Sequence, residues 1–422
     1  MTKGVTILGA TGSVGTTTLE VIAQYPDRFH IVALTARQNL DQLLAQCRIW
    51  QPQYAVVADT SLFPMLVERL ATLSPTTKAL AGLEALTEVA ALPQNDIVVA
   101  AIVGAAGLMP TLTAVRAKKR ILLANKEVLV MAGALFMQEV HRHGTELLPI
   151  DSEHNAIFQC LTIHEKHHAI AVNNHQVSRI TLTASGGAGR DLSIQQLEHL
   201  TPTQACCHPN WRMGKKISVD SATLMNKGFE LMEACWLFDM PAEKVEVLIH
   251  PQSIVHSLVE YQDGSMLAHL ANPDMRLPIA YGLAWPHRLP SGVKRLSLLQ
   301  CRHLEFKPVD AQRYPCLQLA YQAIRAGGTA PASLNAANEI AVQAFLSGVI
   351  CFTDIARLNQ GVLENVPIHP ASNLQAIWAA DNFARETARR FLKKFQKLSA
   401  VKQIRIPIST QSYHHGRYHA HV

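Results

Sequence analysis

At 422 residues the chain is too long for one ordinary core, so two or three domains are expected. Its 48% hydrophobic and 17% charged residues are those of a soluble globular protein, and the apolar stretch DIVVAAIVGAAGL (96–108) is too short for a membrane span. A formal net charge of +6, spread in small clusters at 118–120, 215–216 and 389–390, fits a solvated exterior or a phosphorylated small molecule. A nucleic-acid groove is not expected.

The first residues run straight into a strand without a long apolar leader segment, and the eight cysteines are scattered without metal-site spacing. Reduced thiols in a cytoplasmic protein are therefore expected. In chain order, GVTILG (4–9) reads as a strand and 12–23 as a helix, then 30–35 as a strand and 40–48 as a helix. Residues 54–57, 96–101, 120–124 and 146–150 are further strands, mostly separated by helical stretches. That alternation predicts an open parallel sheet with helices on both faces over residues 1–150.

Beyond 151 the texture changes to a second, α+β domain over 151–285. Strands are expected at 179–184 and 246–249, and 257–261 pairs with 266–270 across an Asp263-Gly264 hairpin turn. The proline-rich stretch 273–290 reads as a boundary or connecting segment, with 286–311 joining onto the last domain. Residues 312–398 read as helices at 316–326, 333–347, 352–360 and 374–395. The tail 399–422 carries four histidines in SYHHGRYHAHV, has no packing pattern and is expected to be disordered.

Between the first strand and first helix lies Gly9-Ala10-Thr11-Gly12-Ser13-Val14-Gly15. Small residues there let backbone N–H groups approach a pyrophosphate at the helix N-terminus, so a Rossmann-like dinucleotide site is expected. A bare strand–helix turn is the alternative. The second strand ends in Thr35-Ala36-Arg37-Gln38-Asn39, without the acid that meets the ribose hydroxyl of NADH. An arginine there suits a 2′-phosphate and favours NADPH.

PIDSEHNAIFQ (149–159) places Asp151 and Glu153 where a buried strand ends. Carboxylates suit a hard divalent ion such as Mg²⁺ or Mn²⁺. Ser152 could equally cap a helix, with the acids favouring its N-terminus, and the two readings are compatible. In HPNWRMGKKISVDSATLMNKGFE (208–230), a helix capped by Asp220 or Ser221 would carry Thr223, Asn226 and Glu230 on one face beside Lys227. Ser221, Asn226 and Lys227 could then hold a phosphate while Glu230 turns to the metal; an ordinary amphipathic helix is the alternative. Ser185-Gly186-Gly187 after a strand could form a second anion nest, and His208-Pro209-Asn210-Trp211 a loop closing over substrate.

Together with LLANKE (122–127), VLIHPQSIVHS (247–257), PDMRLPIAYGLAWP (273–286) and Asn335-Ala336-Ala337-Asn338-Glu339, these segments resemble the 1-deoxy-D-xylulose 5-phosphate reductoisomerase family over nearly the whole chain. The resemblance implies an N-terminal Rossmann-like NADPH-binding domain, a central α+β catalytic domain, a C-terminal helical domain and a homodimer. It implies conversion of a small phosphorylated sugar, 1-deoxy-D-xylulose 5-phosphate, to 2-C-methyl-D-erythritol 4-phosphate with NADPH and Mg²⁺ or Mn²⁺. Carried over by position, Asp151, Glu153 and Glu230 match metal ligands. Ser185, Ser221, Asn226 and Lys227 match the phosphate set, and Lys126, Ser152 and His208 match groups around the substrate. Trp211 belongs to the flap. Thr11, Gly12, Ser13, Val14, Asn125, Glu127 and Gly214 match cofactor contacts, with Arg37, Gln38 and Asn39 at the 2′-phosphate end. Lys126, Glu153 and His208 are the catalytic candidates. Arg37-Gln38 replaces a more usual Gly-Lys, SGGAGR replaces SGGPFR, and Arg212 follows Trp211 where serine is common. A semialdehyde-type dehydrogenase is the rival enzyme reading; it would use Cys160, Cys206 or Cys207 as nucleophile. A non-catalytic NADP-binding sensor is the other rival.

Overall fold

A computed structural model describes residues 2–161, 176–211 and 213–403. Arg212 and residues 404–422 of the histidine-rich tail lie outside the described residues.

The N-terminal part alternates β1 (Lys3–Leu8), α1 (Ser13–Ile22), β2 (Phe29–Ala36), α2 (Leu40–Trp50), β3 (Tyr54–Val57), α3 (Phe63–Leu73), β4 (Lys78–Ala81) and α4 (Gly82–Ala90). It continues with β5 (Ile97–Ala100), α5 (Leu108–Arg116), β6 (Arg120–Leu123), α6 (Glu127–His143) and β7 (Leu147–Pro149). The seven strands form one parallel sheet in the order β4-β3-β2-β1-β5-β6-β7. β5 is buried at all four residues, as a strand covered on both faces requires. The strand order reverses between β1 and β5, which opens a crevice at their carboxyl ends where this architecture binds ligands. β4 was not foreseen in the sequence. Its KALA is a half-exposed edge strand without β-branched residues, so neither alternation nor a buried run marks it.

The chain then forms α7 (Ser152–Cys160), β8 (Val177–Ala184), two single turns α8 (Ile194–Leu197) and α9 (Pro202–Ala205), α10 (Lys215–Thr223) and α11 (Met225–Leu237). β9 (Val245–Ile249), β10 (Val255–Tyr261), β11 (Met266–Leu270), α12 (Arg276–Ala284), α13 (Leu298–Cys301) and β12 (Lys307–Pro308) follow. A second sheet runs β11-β10-β8-β9-β12. The β10–β11 hairpin turns at Gly264, whose φ of +84° is the left-handed geometry that the Asp-Gly signal anticipates.

The stretch 273–290 is more than a connector. α12 lies within it and packs on α1 and β6, and a Cβ at Gly282 would fall 2.9 Å from Leu122 and 3.0 Å from Ile150. Four helices close the fold: α14 (Pro315–Ala326), α15 (Ala330–Leu346), α16 (Asp354–Asn365) and α17 (Leu374–Gln403). α17 runs to Gln403, so the start of the segment expected to be disordered, 399–403, is helical instead. α15 packs against α16, α17, α6 and α10, which joins the helical domain to the other two.

Candidate active site

A cavity of about 330 Å³ opens where the first sheet, the second sheet and α10–α11 meet. Ser13 and Val14 reach it from the glycine-rich turn, Lys126 from the end of β6, and Asp151, Ser152 and Glu153 from the end of β7. Ser185 enters from β8, His208 and Trp211 from the following loop, and Gly214, Ser221, Asn226, Lys227 and Glu230 from α10–α11. The residues the sequence singled out as metal, phosphate and substrate groups thus share one wall-to-wall space.

β7 delivers the acids. Asp151, not Ser152, caps α7: its backbone is extended and its Oδ1 accepts the Ser152 N–H at 3.0 Å. Ser152 is the first helical residue and donates its hydroxyl to Glu153 Oε2 at 2.5 Å. Because the helix has begun, Asp151 and Glu153 do not continue an extended strand. They still converge with Glu230, one oxygen of each lying within 4.8 Å of the others.

Two lysines hold these acids apart. Lys126 Nζ lies 2.7 Å from Asp151 Oδ2 and 3.1 Å from Glu230 Oε1, and donates to Asn226 Oδ1 at 2.8 Å. Lys227 Nζ lies 2.8 Å from Glu153 Oε1 and also contacts Glu230 Oε2. Burial pulls the Lys126 ammonium down, but Asp151, Glu230 and Glu233 together raise it well above the ordinary lysine range. Burial pushes Glu153 up, and the charge and hydrogen bond of Lys227 outweigh it to hold that carboxyl well below its usual value. Glu230 is pushed up to about 7 by burial and then by Glu153, against the pull of both lysines. An all-carboxylate oxygen set of this compactness fits a hard divalent cation.

α10 and α11 are two helices, which corrects the single helix capped by Asp220 or Ser221. α10 is entered through Gly214 and stops at Leu224, whose φ is +57°; α11 starts immediately after. Thr223 therefore leaves the Asn226–Glu230 face, and its hydroxyl accepts the Met225 N–H at 3.2 Å. Asn226 and Glu230 do share a face, one turn apart, with Asn226 Nδ2 donating to Glu230 Oε1 at 2.5 Å.

The Ser185 end is assembled by hydrogen bonds. His208 Nδ1 accepts the N–H groups of Asn210 and Trp211 at 3.2 and 3.0 Å, so the ring proton sits on Nε2 and is donated to Ser185 Oγ at 2.7 Å. Gly187 N–H also donates to Ser185 Oγ, at 3.1 Å. With its oxygen accepting twice, Ser185 keeps its own O–H to give to an anion. Burial lowers His208 to about 4, which keeps the imidazole neutral in this role. Trp211 meets the His256 ring edge-on, with ring centroids 6.3 Å apart.

The cofactor-side residues are more scattered. Thr11 and Gly12 form the turn before α1, where Gly12 N–H bonds the Gly9 carbonyl at 3.1 Å, and Gly15 packs so closely on Gly9 and Ala10 that a Cβ would fall 2.4 Å from the Gly9 oxygen. Arg37, Gln38 and Asn39 are exposed after β2. Gln38 donates to Asp59 at 3.1 Å, and Asn39 caps α2. Asn125 and Glu127 are buried and do not line the cavity. Asn125 donates to the Gly104 carbonyl at 3.0 Å, and Glu127 pairs with Lys216 at 2.8 Å.

The sequence reading passed over His154 and Glu233. His154 Nε2 donates to the Glu230 carbonyl at 2.8 Å, and its Nδ1 lies 3.2 Å from Glu233 Oε2. Burial takes His154 down to about 4; burial and then Asp151 hold Glu233 well above the ordinary carboxyl range. His154 thus fastens the Glu230 backbone from behind, while its Nδ1 and the Glu233 carboxyl oxygens are buried side by side without a hydrogen bond. The signal available was spacing: each lies three residues past an acidic residue of the set, one helical turn on. The cysteine alternative finds no support. Cys160, Cys206 and Cys207 do not line the cavity, and burial raises the Cys160 thiol to about 11.

Comparison with known proteins agrees with this geometry. Family models described as 1-deoxy-D-xylulose 5-phosphate reductoisomerase, its C-terminal domain, and the DXP reductoisomerase C-terminal domain match residues 5–133, 147–238 and 270–387. The chain is 55% identical over 388 residues to the enzyme of that name from Ralstonia nicotianae, covering 92% of this chain and 98% of that one. It is also 55% identical over 390 residues to the Pseudomonas putida KT2440 protein of that name, covering 92% and 97%. Among solved structures, a Zymomonas mobilis reductoisomerase in complex with NADPH superposes with a TM-score of 0.85 at 46% identity over 93% of this chain and 99% of that one. A DOX-P reductoisomerase in complex with NADPH, fosmidomycin and magnesium gives a TM-score of 0.89 at 46% identity over 93% and 98%. The chain belongs to the 1-deoxy-D-xylulose 5-phosphate reductoisomerase family.

Proposed function

We propose that this chain converts 1-deoxy-D-xylulose 5-phosphate to 2-C-methyl-D-erythritol 4-phosphate with NADPH and a divalent cation, Mg²⁺ or Mn²⁺, in the non-mevalonate route to isoprenoid precursors. The observation that carries this reading is one cavity with three jobs on its walls: the Asp151–Glu153–Glu230 oxygens within 4.8 Å of one another, the Ser185–Ser221–Asn226 polar arc, and the Ser13–Val14 turn. Asp151, Glu153 and Glu230 hold the cation, which supplies Lewis-acid polarisation of the substrate oxygens, while NADPH supplies the hydride.

The chain's own groups orient the substrate and manage charge. Ser185 O–H, Ser221 and Asn226 take the phosphate, and holding it there fixes the sugar's direction relative to the acids. Lys126, already 2.7 Å from Asp151 and 2.8 Å from Asn226, stands at the junction of the two regions and offers a proton to an oxygen that gains negative charge. Lys227, buried between Glu153 and Glu230, keeps both acids compatible with each other until the cation neutralises them. Ser152 and Glu153 stand on the substrate side of α7. Trp211, placed by its bond to His208, covers the cavity mouth and limits water. Thr11, Gly12, Ser13, Val14 and Gly214 take the dinucleotide, and Arg37 with Gln38 and Asn39 its 2′-phosphate.

A homodimer is part of the same reading. It is supported by β11, the end strand of the second sheet among the described residues, with Met266 and Leu267 about half exposed (53% and 48%). No helix among the described residues is long and apolar enough to cross a membrane; scattered cysteines fit a cytoplasmic location. The test is NADPH oxidation with 1-deoxy-D-xylulose 5-phosphate, with and without Mg²⁺ or Mn²⁺. Turnover that requires the cation is expected, and turnover indifferent to it removes the reading.

A further inference from the structure

The motif Asn335-Ala336-Ala337-Asn338-Glu339 lies on α15, in the helical domain, and none of its residues lines the cavity. Asn338 is nevertheless fully buried and bonded in two directions. Its Nδ2 donates to Asp220 Oδ1 on α10 at 2.7 Å, and its Oδ1 accepts from Asn359 on α16 at 3.0 Å. Asp220 Oδ2 in turn takes Lys216 Nζ at 2.9 Å, and the same ammonium reaches Glu127 Oε1 at 2.8 Å. The line Asn359–Asn338–Asp220–Lys216–Glu127 thus passes through all three domains. Glu127, Asp220, Asn338 and Asn359 are 5%, 1%, 0% and 0% exposed.

What this line braces is α10. Asp220 immediately precedes Ser221, and the Ser185 loop rests on the same turn: at Gly187, with φ of +69°, a Cβ would fall 2.4 Å from Ala222 Cα. Ser221 and Ser185 therefore keep their separation only while α10 stays in register. α10 has no continuous helix beyond it to hold that register, because the backbone breaks at Leu224.

We propose that Asn338 is a positioning residue for the phosphate end of the substrate: through Asp220 it sets α10, and with it Ser221 and the loop of Ser185. The inference rests on the phosphate assignment made above. Removing the Asn338 amide takes from Asn359 the acceptor it holds at 3.0 Å, leaving it the contact with Cys316, and takes one of two partners from the buried Asp220 carboxylate, so α10 shifts to find others.

The test compares wild type, Asn338→Leu, and the paired exchange Asn338→Asp with Asp220→Asn, which reverses donor and acceptor across the same contact. Inorganic phosphate, as a competitor of substrate, is the second readout. Asn338→Leu is expected to raise both the substrate KM and the phosphate inhibition constant about tenfold. The NADPH KM and kcat should stay within about twofold, and the paired exchange should restore substrate KM. Unchanged substrate KM, a proportional loss in kcat and NADPH KM, or a folded paired exchange that restores nothing overturns the proposal. Where Asn338→Leu does not fold, Asn338→Ser, whose hydroxyl is too short to reach Asp220, is read by the same criteria. A wild-type enzyme without turnover would count against the functional reading itself, whereas active wild type with an indifferent Asn338 variant counts only against this role.

Discussion

Lys227 and Glu153 meet at 2.8 Å although 74 residues separate them, and the same buried ammonium also contacts Glu230. Three acids this close would repel one another in a low-dielectric pocket. The lysine lets the pocket exist before the cation arrives. Lys227→Met should therefore destabilise the cation-free protein by about 3 kcal/mol, since it leaves buried carboxylates uncompensated. Added Mg²⁺ should recover much of the loss. Thermal unfolding with and without the ion measures both, and a variant that ignores Mg²⁺ contradicts the shared site.

Asp151 caps α7 and, in the proposed function, also faces the cation. Asp151→Asn keeps an oxygen for the Ser152 N–H but removes the charge. Metal-dependent NADPH oxidation should fall by at least about 100-fold, with NADPH binding unchanged by fluorescence titration. A cap-only role predicts nearly normal turnover.

Glu230 sets a pH dependence. Its carboxyl is raised to about 7, so below that pH the folded protein carries a proton that the unfolded chain releases near its ordinary value. That contribution to stability is present at low pH and is lost as pH rises through about 7 in the cation-free protein. A cation held by Glu230, as proposed, must displace the same proton. Calorimetry in buffers of differing ionisation enthalpy should show proton release on Mg²⁺ binding below pH 7 that vanishes well above it. Glu230→Gln should abolish it.

Ser185 offers a free hydroxyl because His208 and Gly187 already occupy its oxygen. Ser185→Ala should raise the substrate KM roughly 10- to 100-fold, the value of one hydrogen bond to a charged group. The NADPH KM should not move. Steady-state kinetics with each substrate varied separates these outcomes.

The β11 edge carries the dimer reading. Leu267→Lys places a charge on an exposed strand edge and should convert a dimer to a monomer by light scattering, at little cost to monomer stability. A wild-type monomer would remove the premise.

Much of this protein was legible along the chain because its signals are local. A parallel strand buried on both faces reads as an apolar run, so β1, β2, β5 and β6 stand out. The glycine turn reads through backbone geometry, since nothing larger than Gly15 fits against Gly9. The Asp263-Gly264 hairpin is likewise a two-residue statement. The resemblance picked out by position the acids and polar residues that the fold brings into one cavity. What the chain could not display were choices between locally equal options. Asp151 and Ser152 are both good caps, and only the path out of β7 made Asp151 the cap. Leu224 gives no sequence warning of a helix break; the close seat of Gly187 on Ala222 accompanies it in the fold. Residues 273–290 look like a linker because prolines interrupt their pattern, yet α12 is held by contacts with α1 and β6, far away in sequence. Nor could any local window pair Lys227 with Glu153 or Asn338 with Asp220. Composition and spacing select residue types and nearby geometry, whereas pairing between segments far apart in sequence depends on distances that exist only once those segments have packed.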